Sequence, residues 1–183
     1  MSIVAEKSAS IIPTGTWAID PVWSAVEFEV KKLGLAVIKG RALDFDGTVH
    51  GGETPSIEGA VKVASITTFD ETRDGHLQSP DFFDAARYPE ITFRSTSVEQ
   101  EGEELVVRGD LTIKGVTKEV ELRGAFLGTG VDPTGNERIA LELEGTIDRT
   151  DFGVSWNAPL PGGDLLLPNE ALLTASFAAV RAA

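Results

Sequence analysis

Glu90-Ile91-Thr92-Phe93-Arg94-Ser95-Thr96-Ser97-Val98 sets Ile91 and Phe93 against Thr92 and Arg94, one residue in and one residue out. Successive side chains of an extended chain point to opposite faces, so this alternation predicts a strand with one buried face. The same period continues downstream in Leu105–Ile113, Lys118–Leu127, Arg138–Ile147 and Ala171–Val180. Upstream, Trp17–Lys32 places Val26, Phe28 and Val30 opposite Glu27, Glu29 and Lys31. Arg41–His50 sets Leu43, Phe45 and Val49 against Asp44, Asp46 and His50, and Ser56–Ile66 alternates around Ile57, Val61 and Val63. Eight strands follow.

The segments between them carry turn chemistry: Gly51-Gly52, Glu101-Gly102-Glu103, Lys114-Gly115 and Asp132-Pro133-Thr134-Gly135-Asn136. Gly supplies positive φ and Pro fixes φ near −65°, so the chain reverses at these places. Such short links join antiparallel neighbours, because parallel strands need long crossovers. Many short strands with little helix predict an all-β sandwich or barrel.

One helical insertion is expected within Thr68–Pro89. Ser79-Pro80-Asp81 offers an N-cap residue, Pro at the first helical position and an acid near the positive helix end. Tyr88-Pro89 stops continuation, and Asp70-Glu71-Thr72-Arg73 reads as a further cap and turn upstream. The stretch from Gly153 to Asn169 is irregular yet holds Trp156, Leu160 and Leu165-Leu166-Leu167. Loops normally shed such residues, so this one covers either an apolar opening or an ordinary core.

The chain has 183 residues, 16 Lys+Arg, 29 Asp+Glu and a formal net charge of −13. That length suits one domain, with residues 1–14 as an N-terminal extension and 15–183 as the barrel. Hydrophobic content of 42% supplies a core. The acidity argues against nucleic acid, which needs surplus cations to replace phosphate counterions. Cysteine is absent, which excludes disulfides, thiol nucleophiles and Cys-ligated metals. Two histidines, His50 and His76, are too few for a multi-His metal centre. No P-loop or dinucleotide fingerprint occurs. The opening residues lack a basic region leading into an apolar run, so a cytoplasmic protein is expected. Leu165–Val180 is interrupted by Pro168, Asn169 and Glu170, so no stable membrane insertion is expected.

Paired carboxylates such as Asp44/Asp46 and Glu142/Glu144 sit at i, i+2, where a strand turns both to solvent. Arg73-Asp74-Gly75-His76 reads either as a surface turn or as a base held by a carboxylate. Arg149 with Asp151, and Trp156 with Asn157, either bind or brace. The inward set mixes Val, Ile, Leu and Phe with Gly59, Gly124 and Ala140 and shows no charge pattern. Eight strands closed into a barrel enclose a lumen that side chains just fill or that holds one ligand. Both outcomes stand.

The motifs resemble one family, the YceI family of lipocalin-like, polyisoprenoid-binding proteins. The resemblance runs from Trp17 to about Arg181. It rests on Trp17-Ala18-Ile19-Asp20-Pro21, Ser24-Ala25-Val26-Glu27-Phe28, Gly40-Arg41, Phe45-Asp46-Gly47, Arg73-Asp74-Gly75-His76-Leu77 and Ser79-Pro80-Asp81-Phe82-Phe83-Asp84. It continues through Tyr88-Pro89-Glu90-Ile91-Thr92-Phe93-Arg94-Ser95, Gly109-Asp110-Leu111-Thr112-Ile113-Lys114-Gly115-Val116-Thr117, Asp132-Pro133-Thr134-Gly135-Asn136-Glu137-Arg138, Arg149-Thr150-Asp151-Phe152-Gly153 and Trp156-Asn157. The family pattern often has His where Trp23 and Lys32 stand.

The resemblance implies an extended eight-stranded antiparallel lipocalin-like barrel with a short helical insertion and an apolar tunnel for a lipid chain. It implies no catalytic residue, no cofactor and no metal. With the alternating strands, it makes Phe28, Val30, Phe45, Phe93, Ile113, Phe126 and Phe152 the expected lumen wall. Phe82 and Phe83 are expected near one end, with Trp156 under the loop. The expected partner is an isoprenoid or other long-chain lipid. Alternatives are other amphiphiles such as lipophilic antibiotics or fatty amides, a cofactor-free lipid enzyme using His76, Asp74 or Arg149, and a filled barrel. A barrel rim can also support a homodimer, though no residue singles one out.

Overall fold

The computed structural model describes residues 11–182. The chain runs through β1 (Gly15–Ile19), β2 (Ala25–Lys32), β3 (Ala36–Ala42), β4 (Phe45–Gly51), β5 (Ser56–Lys62), β6 (Ile66–Thr67) and α1 (Glu71–Gln78). It then forms β7 (Glu90–Glu101), β8 (Glu104–Ile113), β9 (Val116–Val131), β10 (Glu137–Asp148) and β11 (Glu170–Arg181). All pairings are antiparallel, and β11 returns to pair with β1, closing the ring β1-β4-β5-β7-β8-β9-β10-β11.

Eleven assigned strands and eight wall positions are the same object. β1 and β2 both run along β11, from Trp17↔Arg181 to Glu29↔Leu172, and form one wall strand with a break. The break is local chemistry: Asp20 accepts from Val22 N at 2.9 Å, and Pro21 has no N–H for the ladder. β3 and β4 likewise continue one another, pairing β2 and β1 in turn. β5 and β6 pair β4 and β3. The expected eight strands are thus present. One begins earlier than Arg41, because Ala36-Val37-Ile38 lacks polar alternation yet pairs with β2. Leu43, at the break before β4, is exposed rather than inward.

The helical insertion is present, and of the two caps read from the sequence the upstream one begins it while Ser79 does not. Asp70 is the N-cap, accepting from Arg73 N at 2.9 Å, and Ser79 is the C-cap. Ser79-Pro80 therefore ends the helix, since a residue before Pro is pushed to extended backbone, here φ −72 and ψ 167. Phe82 and Phe83 follow in a turn in which Phe82 N donates to Ser79 O and Phe83 N to Leu77 O.

Two buried clusters occupy the lumen. One gathers Ile12, Trp17, Ile19, Val49, Leu105, Val107, Ile139 and Leu141. The other gathers Phe82, Leu111, Ile113, Ile147, Phe152, Val154 and Ala171. Ile12 closes the first from outside the ring, with Pro13 O accepting from Trp17 Nε1. Of the expected extension, residues 1–10 lie outside the described residues.

Candidate functional site

Between the two clusters lies an interior cavity of about 220 Å³. Its wall comes from both: Ile19, Ala42, Phe45, Ile57 and Leu143 on one side, and Ile113, Ile147, Phe152, Val154 and Ala171 on the other. Phe83, Ile91 and Phe93 pack against both clusters and bridge them. Glycine helps to make the room. Gly47 pairs with Gly59, and a Cβ on Gly47 would meet Ile19 Cδ1 at 2.7 Å, so this pair faces inward without side chains.

The aromatic rings are seated rather than loose. Phe28 lies opposite Gly40 on β3, where a Cβ would stand 2.1 Å from its Cε1. Phe28 also meets Phe83 edge-on, with ring centroids 6.5 Å apart. Phe93 lies over Gly109, where a Cβ would stand 2.6 Å from its Cζ.

Of the residues expected at the lumen, Phe28, Phe45, Phe83, Phe93, Ile113 and Phe152 line the cavity. Val30 packs on the second cluster and Phe126 on the first, both away from it. Phe82 is buried and meets His76 and Trp156, with centroids 4.9 Å and 5.4 Å away, so these rings form an edge-on cluster at the insertion. Trp156 sits there under its loop, 4.8 Å from the His76 ring.

That loop is a fixed structure. Asn157 donates to Leu167 O and accepts from Ala158 N and Leu167 N. Its backbone closes a small bridge between Pro159 and Leu165. Outside the barrel, beside the β2–β3 turn, this loop borders a solvent-open groove of about 900 Å³ lined by Lys31, Asp164 and Glu170 as well as leucines. The interior cavity is smaller but apolar, which is the usual character of a ligand site.

The expectation of an uncharged interior fails most directly at Arg149; Asp84 is also buried, and Glu27, Asp46 and Glu58 border the cavity. Arg149 follows β10 and lines the cavity, with only 6% of its surface exposed. Its Nε donates to Pro168 O at 2.9 Å, and Nη1 to Val154 O at 2.6 Å and Trp156 O at 3.0 Å. Burial lowers its pKa from the ordinary arginine value, opposed by the charge of Asp148. The inward alternation Leu141, Leu143, Ile147 reaches Arg149 at the next step, so its orientation was readable. Its burial was not.

His76, Asp74 and Arg149 make no hydrogen bonds to one another. His76 pairs with Asp81 at 2.8 Å, not with Asp74. Asp74 accepts from Thr67 Oγ1, Thr68 N and Thr68 Oγ1. Neither residue lines the cavity. Among the described residues no group of three or more potential metal ligands occurs. No helix among them is long and apolar enough to cross a membrane. Trp23, where the family pattern often has His, is exposed and stacked under Arg138 at 4.0 Å.

A closed antiparallel barrel enclosing an apolar cavity, with one helical insertion, defines a lipocalin-like barrel. Residues 17–179 match the family model of the YceI-like domain, and the chain belongs to that family. It is 43% identical to the protein YceI of Escherichia coli O157:H7 over 133 residues, 70% of each chain. Burkholderia cenocepacia BcnA shares the fold with a TM-score of 0.76 at 22% identity, covering 87% of this chain and 98% of its own. A polyisoprenoid binding domain from Saccharophagus degradans superposes with a TM-score of 0.66 at 16% identity, covering 91% of this chain and 98% of its own.

Proposed function

We propose that this chain binds a long-chain isoprenoid lipid, of polyprenyl or quinone type, and carries or stores it without chemical change. The observation that carries the reading is the apolar cavity held between two packed clusters inside a closed barrel. The description of the Saccharophagus degradans neighbour as a polyisoprenoid binding domain supports the same ligand class. In this reading the carrier works in the cytoplasm, with its acidic side chains turned outward.

Magnitudes refine the reading. An apolar cavity of about 150 Å³ holds one benzene, so 220 Å³ takes roughly nine carbons. At about 0.8 kcal/mol per buried carbon this yields about 7 kcal/mol, within the ~4–15 kcal/mol that association costs. A chain of ~20 carbons gains about 16 kcal/mol, which exceeds that cost. Useful affinity thus requires more volume than the cavity offers, so a long chain enters only as the wall gives way around it.

Native mass spectrometry of protein purified without detergent, with solvent extraction of the same sample, tests this. The expected result is a bound prenyl lipid, or saturable uptake of a fluorescent prenyl probe by delipidated protein. Protein that carries no lipid and takes up no probe removes the proposal.

A further inference from the structure

The cavity wall holds a charged group with one nitrogen that the barrel leaves unbonded. Arg149 is 6% exposed and presents five N–H groups, a fixed feature of the guanidinium. Nε and Nη1 spend theirs on the carbonyls of Pro168, Val154 and Trp156, which ties the loop after β10 to the barrel. Nη2 is buried and has no hydrogen-bond partner among the described residues. An arginine stays protonated even when burial works against its charge. Neutral carbonyls spread that charge without cancelling it, and the Asp148 carboxylate offsets part of it through space while hydrogen-bonding Thr150 N and Oγ1 rather than the guanidinium.

A buried cation with an unused donor is a poor choice for packing alone, where an apolar side chain of the same length does better. Phe152, Val154 and Ile113 line the same cavity, so the charge borders an apolar space. We infer that Arg149 Nη2 anchors an oxyanion at the head of the bound lipid, a phosphate or carboxylate, with the chain running away past Phe83 and Phe93. This rests on the lipid-binding reading above. The ligand is thereby an anionic amphiphile bound head inward, and the neutral alcohol of the same chain is a weaker ligand.

The experiment compares three probes of one chain length on the delipidated full chain: geranylgeranyl monophosphate, geranylgeranic acid and geranylgeraniol. At least one anion is expected to bind about tenfold or more tightly than the alcohol, the factor a hydrogen bond to a charged group carries. Which anion gains shows whether phosphate or carboxylate is the head. In Arg149→Met the ratio of anion to alcohol affinity is expected to fall to about one. Should that variant not fold, the guanidinium N–H resonances of Arg149 in unaltered protein are expected to shift with the tighter anion and not with the alcohol. Equal affinity for alcohol and anions overturns the inference alone, as does a preference that survives Arg149→Met or resonances that stay still. If none of the three probes binds, the lipid-binding reading falls and takes the inference with it.

Discussion

Asp74 shows how a single carboxylate fastens the insertion to the barrel. Its oxygens accept from Thr67 Oγ1 at 2.7 Å, Thr68 N at 2.7 Å and Thr68 Oγ1 at 2.6 Å. Burial pushes its pKa up, but the bonds from Thr68 and Thr67, with the charge of Arg73, outweigh this and hold it below 3.8. A carboxylate depressed by folding stabilises the fold above its unfolded pKa. That stability is lost as pH falls from near 3.8 through the lower folded value. Asp74→Asn is therefore expected to lower stability by about 1–2 kcal/mol at pH 7. The gap to the unaltered protein should narrow below about pH 4, because the acid form no longer differs in charge. Denaturant unfolding at pH 7 and pH 3 checks both parts, and a gap independent of pH refutes the assignment. The sequence showed Asp74 beside His76 and left a dyad open. It could not show that Thr67 and Thr68 take both carboxylate oxygens, because that depends on where the chain enters α1.

At the scale of elements, α1 contrasts with the strands. None of its residues is fully buried, so beside the partly buried Leu77 and the Asp74 bonds its two ends do much of the holding. Asp70 caps one end, and Gln78 Nε2 donates to Ala64 O at the other. Asp70→Ala is expected to cost about 1 kcal/mol, and the loss should be local. Hydrogen exchange is expected to quicken in Glu71–Gln78 while the β8 and β10 amides keep their protection. Quickening throughout would make the cap a support of the whole barrel. The strands were legible because alternation reports face directly: Phe28, Phe45, Phe93 and Ile113 each occupy inward positions. Position along the barrel is different, since it depends on what packs across the lumen. Val30 and Phe126 follow the same inward pattern, yet each meets a filled cluster instead of the cavity. Ser79-Pro80 carries a different ambiguity: Ser before Pro can start a helix or stop one. The Asp70 bond to Arg73 N placed the helix before it.

For the whole molecule, packing and binding compete for the same volume. The two clusters are dense, and the space between them is room that larger side chains could fill with a gain in stability. Ala175 marks the point: it lies on β11 between Leu143 and Val26 and lines the cavity. Ala175→Leu would place three more carbons there, worth up to about 2 kcal/mol by transfer and about 0.5–2 kcal/mol after imperfect fit. The same carbons would remove roughly a third of the nine-carbon space. The variant is therefore expected to unfold at higher temperature while binding the prenyl probe about tenfold more weakly. Both must be measured on delipidated protein, because a bound lipid raises stability by mass action and would mask the gain. A stabilised variant with undiminished affinity would mean that the chain does not use this cavity. A loss of both stability and affinity would mean that the wall near Ala175 is already close-packed.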